Sequence, residues 1–363
     1  MSAHIDTTHA ERPANVRKLV TRCMAVGRPV MLWGSPGVGK SDMIAEIGKQ
    51  QNRPVIDMRL LLLDPTDLKG LPYWDAESNT MKWAPPSDLP KSGGPLSNAI
   101  LFLDEINAAP PSVQAAAYQL ILNRRVGEYH LPADVSIVCA GNNDSDRGVT
   151  YRMASPLANR LVHINVVAHF EDWQNWAMDN KIHPDVVGFL TNHKHKLFDF
   201  DPKSSSKAFP TPRTWAFVSQ LIDDDLPESL ISTLVAGTVG DGVSGEFMAH
   251  RRLSSKMPRP DDVLMGRVTK LDVKEVSAMY SLTISICYTL KEWVGKAKEG
   301  VDGFDNKAWH ECMDHFLKFA LNNFQHEMVI LAVKTCFSTL PVKHSMLKNW
   351  REFSDRYAKF IEA

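Results

Sequence analysis

The chain has 363 residues, 44% of them hydrophobic and 23% charged, with a formal net charge of −1. That length is enough for two domains with sizeable cores. The near-neutral charge gives no global electrostatic reason for nucleic acid or an anionic membrane to be the main partner. The five cysteines, Cys23, Cys139, Cys287, Cys312 and Cys336, are dispersed without a CxxC pair. They read as reduced thiols of a cytoplasmic protein, not as a disulfide framework or zinc site.

The N-terminal stretch MSAHIDTTHAERP is polar and lacks the apolar core of a signal peptide. No apolar run approaches the roughly 18–20 residues of a membrane span. Short apolar runs then alternate with helical patterns. PVMLW (29–33), PVIDM (54–58), AILFLD (99–104), VSIVCA (135–140) and VHINVV (162–167) predict strands. Helical stretches lie between them, as at Ser41–Gln50 and Pro111–Leu122. Five strands with helical crossovers predict a mostly parallel α/β sheet covered on both faces. After about Val167 the strand signals stop. FEDWQNWAMDN, PDVVGFLTNH and PRTWAFVSQLI carry apolar residues at helical spacing, and the pattern continues to the C-terminus. The expected division is an α/β domain over 1–168 and a helical domain over 169–363. The most loop-like stretches of the second half are Asp199–Thr211 and Ser254–Asp262.

Three strand ends carry the chemistry. GSPGVGKS matches G-x-x-x-x-G-K-[ST], with Gly34, Gly39, Lys40 and Ser41 in the defining places and Ser35, Pro36, Gly37 and Val38 between them. Glycines let the backbone N–H groups turn inward onto phosphate, and the helix that follows adds its N-terminal dipole. In such a loop Lys40 reaches the β- and γ-phosphates of a nucleotide and Ser41 ligates Mg²⁺; Asp42 follows in the first helical turn. AILFLDEIN delivers Asp104 and Glu105 at the end of an apolar strand. Asp104 would hold the Mg²⁺ shell and Glu105 would take the proton of an attacking water. VSIVCAGNNDSD ends a further strand at Asn142 and Asn143. Asn142, the first polar residue past the strand, is the candidate to orient that water; Asn143 reads rather as an Asx turn. No N-K-x-D motif is present to read guanine, so ATP is the expected nucleotide.

With GKS, DE and N on successive strands, the sequence resembles an AAA+ ATPase, and within that superfamily the MoxR type with its CbbQ-like relatives. DPTDLKGLP (64–72) is similar to the segment that opens the family's helix-2 insertion. DRGVTYRMASPLANR (146–160) is similar to the polar stretch before the arginine finger in a MoxR subgroup. The resemblance implies that Arg160, in SPLANRLVHI, is the finger, with Arg147 and Arg152 as rivals. It also implies that Arg213, in FPTPRTW, is the sensor-2 arginine of a helical lid. It covers about Pro29 to Trp215, and the helical half extends well past a minimal lid. A finger acts across a subunit boundary, so the implied assembly is a homo-oligomeric, hexameric ring. The implied activity is ATP-driven remodelling or chaperoning of protein clients, as the CbbQ relatives do for Rubisco. A separate partner with a von Willebrand A-type domain is implied as well, since this chain holds no D-x-S-x-S of its own. A nucleic-acid motor and a slowly hydrolysing, nucleotide-gated scaffold are the alternatives.

Tyr73 and Trp74 either grip an extended client or pack with Trp83 across the AESNT turn of a hairpin. HKH (193–195) has metal-like residues without a third ligand nearby, and HRRLSSKMPRP (250–260) is a solvated basic stretch. The C-terminal helical surplus, including FQHEMVILAVKTCF (324–337), is either an adaptor-binding face or a larger core.

Overall fold

A computed structural model describes residues 10–146, 151, 153–222, 226–272, 274–300 and 305–361. The chain forms two compact units, Met1–Asp172 with Phe200–Ser204 and Trp173–Asp199 with Ser205–Ala363. Arg147 and Arg152, the rival finger positions, lie outside the described residues.

The first unit is built on a parallel sheet. Its strands in chain order are β1 (Ala10–Glu11), β2 (Val30–Trp33), β3 (Val55–Arg59), the outlying hairpin β4 (Leu71–Asp75) and β5 (Thr80–Ala84), β6 (Ile100–Asp104), a short hairpin β7 (Arg125–Val126) and β8 (Tyr129–His130), β9 (Ser136–Gly141) and β10 (Val162–Val166). The main sheet runs β1-β10-β2-β9-β6-β3 with every neighbour parallel. All five expected strands are in it. The sixth, β1, pairs Ala10 with Asn165 and Glu11 with Val166. Two residues before Pro13 are too few to show any periodicity in sequence. Arg12 and the Ala14 backbone N–H follow it onto the buried Asp172 carboxylate, at 2.5 and 2.7 Å.

Helices cover both faces, as continuous apolar strands require. Every residue of β9 is buried. Met31, Leu101, Leu103, Ile137 and Cys139 share one core with Val113, Ala116, Ala117 and Leu120 of α4 (Pro111–Asn123). On α1 (Pro13–Ala25) the buried face is Val16, Val20 and Met24; on α2 (Lys40–Gln50) it includes Met43, Ile44 and Ile47.

The 64–84 segment is a short helix, α3 (Pro65–Lys69), capped by Asp64 and Asp67, followed by the β4–β5 hairpin. Gly70 joins them at φ 86°, where an added Cβ would lie 1.9 Å from the Ala84 carbonyl oxygen. The register sets Pro72 opposite Trp83, Tyr73 opposite Lys82 and Trp74 opposite Met81. Side chains alternate along strands, so Tyr73 projects from the face opposite to Trp74 and Trp83. The three rings therefore do not pack together. Trp83 lies against Gly127 at the β7–β8 turn, while Tyr73 and Trp74 are exposed.

In the second unit no strand occurs among the described residues. After α5 (Ser155–Ala158) of the first unit and α6 (Phe170–Asp179), which crosses the division, come α7 (Pro184–Asn192), α8 (Pro212–Leu221), α9 (Glu228–Val239), α10 (Asp241–Ser254), α11 (Pro260–Leu264), α12 (Val276–Lys298), α13 (Asn306–Asn323), α14 (His326–Thr339) and α15 (Trp350–Ile361). The stretch expected as a loop at Ser254–Asp262 is mostly a turn between α10 and α11. Helix α12 is the hub. Gly188 of α7 packs so closely on it that an added Cβ would sit 2.1 Å from Ser281 Oγ. His250 of α10 is buried against Ser277 and Ser281, with hydrogen bonds of 2.9 and 3.2 Å. The Cys287 and Cys336 sulfurs meet 2.7 Å apart between α12 and α14. On α13, the buried Asp314 carboxylate accepts from the Asn349 backbone N–H and side-chain amide, both at 2.8 Å, just before α15.

Of HKH, His193 stacks on Phe189 with ring centroids 4.6 Å apart, while Lys194 and His195 are exposed. Among the described residues no cluster of three or more His, Cys, Asp or Glu could hold a metal, and no helix is long and apolar enough to cross a membrane.

Candidate nucleotide site

β2, β6 and β9 are parallel, so their C-terminal ends share one edge of the sheet. The loop 34–39 leaves β2 there and enters α2 at Lys40. Gly37 and Gly39 take φ of 80° and 90°, a region that glycine enters without strain. Gly34 is needed for space: a Cβ there would meet the Val166 carbonyl oxygen at 2.8 Å.

Within this turn the Lys40 ammonium is buried and folded back. It donates to the Gly34 carbonyl at 2.6 Å, the Ser35 carbonyl at 3.3 Å and Asn142 Oδ1 at 3.1 Å. These contacts join the phosphate-loop motif to the end of β9. The end of β6 joins through Ser41, whose Oγ donates to Asp104 Oδ2 at 3.3 Å. The other Asp104 oxygen accepts the Glu105 backbone N–H at 2.9 Å. One carboxylate oxygen is thus held by backbone while its partner faces the serine. Glu105 follows at φ 56°, a left-handed conformation that costs a non-glycine residue on the order of 1 kcal/mol. The turn is fixed in that shape by the Ile106 N–H, which donates to the Ala140 carbonyl of β9 at 3.1 Å.

A hydroxyl and a carboxylate converging at a helix N-terminus make an all-oxygen donor set. That is the chemistry a small hard cation such as Mg²⁺ accepts. The amino group of Lys40 and the inward-turned loop suit an anion beside it.

Three further residues belong to the site that the motifs alone did not single out. Asn107 is buried under the end of β9. Its side-chain amide donates to the Asn142 carbonyl at 2.8 Å, and its own carbonyl accepts the Tyr151 N–H. Gly141 lies so close that an added Cβ would be 2.5 Å from Asn107 Oδ1. Asp146 accepts from Ser35 Oγ at 3.2 Å and from the Asn143 N–H at 3.1 Å. Burial pushes the Asp146 carboxyl above the usual range, opposed by those two hydrogen bonds and the Lys40 charge. Asp57 on β3 is pushed the same way, first by burial and then by the Asp104 carboxylate. An acid three residues past a polar pair, and an asparagine two residues past Asp-Glu, were the available signals. The Asn143 side chain also reaches this group, its nitrogen 3.5 Å from Ser35 Oγ.

Arg160 stands elsewhere in the first unit. Arg160 is exposed in the turn between α5 and β10, two residues before Val162. Val162 pairs with Val30, the first residue of β2. Arg160 is therefore at the N-terminal edge of the sheet, and the phosphate-loop motif is at the C-terminal edge. Four paired residues at about 3.3 Å each separate the two edges. There it lines a cavity of about 610 Å³ with Arg28, Arg124 and Asn159. Arg124 is already engaged with the Pro132, Ala133 and Val135 carbonyls. Among the described residues Arg160 has no ion pair. Arg213 is exposed on the first turn of α8, in the second unit, where Thr211 and Thr214 form a capping box.

Residues 29–162 match the family model described as ATPase family associated with various cellular activities (AAA). The match spans the segment that carries the site. Among solved structures, the chain is similar to a candidate ATPase from Cytophaga hutchinsonii, at 14% identity over 90% of this chain and 80% of that one, TM-score 0.33. It is similar to NtrX from Brucella abortus in complex with ADP, at 15% identity over 79% of this chain and 67% of that one, TM-score 0.40. It is also similar to a mutant of RuvB from Thermotoga maritima, at 13% identity over 70% and 75%, TM-score 0.36.

Proposed function

We propose that this chain, with its AAA-family segment at 29–162, hydrolyses ATP in a ring of identical subunits and uses the cycle to remodel protein clients in the manner of MoxR-type ATPases. The observation that carries the reading is the convergence of three strand ends: Lys40 Nζ on Asn142 Oδ1 at 3.1 Å and Ser41 Oγ on Asp104 Oδ2 at 3.3 Å.

Roles follow from these positions. The backbone of residues Gly34–Gly39 wraps the phosphates, and Asp42 stands in the first turn of the helix behind them. Lys40 exchanges its carbonyl partners for β- and γ-phosphate oxygens. Ser41 and Asp104 would hold Mg²⁺, which when bound would supply neutralisation of the phosphate charge. Asn142 orients a water in line with the γ-phosphorus. Glu105 accepts the proton as the water oxygen bonds to phosphorus and the bond to the β-phosphate oxygen breaks, giving ADP and phosphate. Phosphoryl transfer needs little covalent help, so positioning and charge are most of what the protein supplies.

Arg160 cannot serve the nucleotide of its own subunit from the far edge of the sheet. It is suited to a neighbour's γ-phosphate, and an arginine so placed is worth roughly 10³–10⁵ in rate. A head-to-tail contact of this kind closes into a ring; six subunits is the expectation from the family resemblance. In this reading Arg213 is the sensor-2 arginine of the helical domain, the α/β domain spans 1–168, and the helical domain spans 169–363. A separate von Willebrand A-type partner and the client complete the proposal, and the cytoplasm is the expected location.

Glu105→Gln tests the chemistry. ATP binding should persist while turnover falls to background, because metal and phosphate contacts remain and the water loses its base. Normal turnover would remove Glu105 from its role. Arg160→Ala tests the ring. Mixed into wild-type protein, it should depress activity more than dilution does; strictly proportional loss would place its action within one subunit.

A further inference from the structure

We infer that His163 is a positioning residue that ties the arginine-bearing turn to the strand feeding the phosphate-loop motif. The inference rests on the proposed function through Arg160. Its observations are independent of the motif residues.

Trp33 is the last residue of β2, next to Gly34. Its indole Nε1–H donates to His163 Nδ1 at 2.9 Å, and the two rings are stacked within 11° of parallel, centroids 6.1 Å apart. An indole nitrogen can only donate, so Nδ1 must accept and the imidazole proton resides on Nε2. Nε2 then donates to the Ala158 carbonyl at 2.8 Å. Ala158 ends α5, two residues before Arg160. Both ring nitrogens are thus spent on a single connection: Trp33, His163, Ala158. It runs from the residue preceding the phosphate-loop motif to the helix end that sets the direction of Arg160.

The surroundings make this more than packing. His163 is exposed on β10 and lies in register with Met31, not with Trp33. The indole therefore reaches diagonally backwards along the sheet to meet it. The fold does not need an exposed imidazole here, since a β-branched residue would suit an exposed strand position better. α5 is only four residues long, and its C-terminal turn carries the Arg160 N–H to the Leu157 carbonyl. So short a helix has little stiffness of its own, and a hydrogen bond at its last carbonyl constrains the following turn. A shift of Trp33, as the adjacent loop closes on phosphate, is carried by the imidazole to that turn. The subunit that has bound nucleotide would in this way aim its arginine at its neighbour.

A double-mutant cycle on the full-length protein tests this. His163→Ala should lower turnover at saturating ATP by about tenfold, the scale on which small misplacements of a catalytic group act. Affinity for a fluorescent ATP analogue should stay within about twofold, because the phosphate-loop contacts are intact. In an Arg160→Ala background the same change should cost nothing further. His163→Gln, whose amide can both accept and donate, should recover part of the loss. Trp33→Phe, which keeps a ring and removes the donor, should reproduce the defect and serves if His163→Ala folds poorly. An equal loss in both backgrounds would overturn the inference while leaving Arg160 in its role, as would a loss of ATP affinity in place of turnover. An Arg160→Ala variant with unaltered turnover would instead remove the finger, and the inference with it.

Discussion

The two units bury polar groups to opposite ends. In the sheet unit four polar residues gather: the buried Lys40 and Asn107 and the half-buried Asn142 and Asp146 come from three segments and meet around one loop. In the helical unit they are dispersed: His250 answers two serines of α12, Asp314 answers Asn349, and His310 answers the Lys343 N–H at 3.0 Å. Each of these latter sites joins one helix to a neighbouring segment. A parallel sheet brings distant segments to one edge because all its strands end on the same side. A helical array has no such edge, so its buried polar groups join neighbouring helices instead. Chemistry in this molecule is therefore expected where segments converge, and stability where they pair.

The sharpest way to break the comparison is Lys40→Ala. It removes the group that joins the loop to β9, and nucleotide affinity should fall by about 100-fold or more, the scale of a lost charge-assisted phosphate contact in a buried site. Calorimetry with ATP would measure it; affinity close to wild type would mean that the convergence around Lys40 serves only the fold.

A matched pair of glycines is next. Gly188→Ala forces a methyl against Ser281 Oγ and the Ser277 carbonyl, the latter at 2.9 Å, in the helical unit. It should lower stability by about 1–3 kcal/mol, as overpacking does, with nucleotide affinity of the folded protein unchanged. Gly141→Ala presses on Asn107 and on Met31 Cε at 2.7 Å. Its stability cost should be of the same order, but it should also depress turnover, because Asn142 is the next residue. Thermal melting and steady-state turnover separate the two. Equal effects on turnover would blur the distinction between the units.

The smallest expected effect is that of pH on the helical unit. Burial holds His250 below its ordinary value, with the Asp185 charge opposing and His193 adding to the depression. The folded state therefore resists protonation while the unfolded state accepts it. Stability is fully present above the unfolded value of 6.5 and declines as pH drops below it towards the folded value. The melting temperature should fall as pH drops below 6.5, and His250→Gln should flatten part of that decline. An unaltered slope would exclude His250 as its source.

Much of the sheet unit was legible because its signals are local. Apolar runs of four to six residues between turn residues locate β2, β3, β6, β9 and β10. The strand–glycine–helix order around GSPGVGKS locates the site without any knowledge of strand order. What was not legible depends on pairing. β1 is two residues long and exists only because β10 offers it an edge. The split of Tyr73 from Trp74 and Trp83 is a matter of register, which one residue of slip would reverse. Asn107 and Asp146 look like ordinary turn residues until the Asn142 carbonyl and Ser35 hydroxyl are placed beside them. The helical unit was legible as helical from its spacing. Its tight α7–α12 contact was hidden, because Gly188 reads in sequence only as a weak point in a helix.

The order of the sheet has a consequence for the timing of synthesis. β2 is the first long strand made, yet its two neighbours in the sheet are β10 and β9, more than a hundred residues further along. Such non-local pairing is slow, and its loop-closure entropy is met before any contact rewards it. While the chain is emerging from a ribosome, the phosphate-loop motif is already outside but has no sheet to be mounted on. It acquires its Asn142 partner with β9, and its second flank with β10. A nucleotide that stabilises the folded site can act on the nascent protein only after Val166 has emerged, which makes ligand capture a late checkpoint in the birth of each subunit.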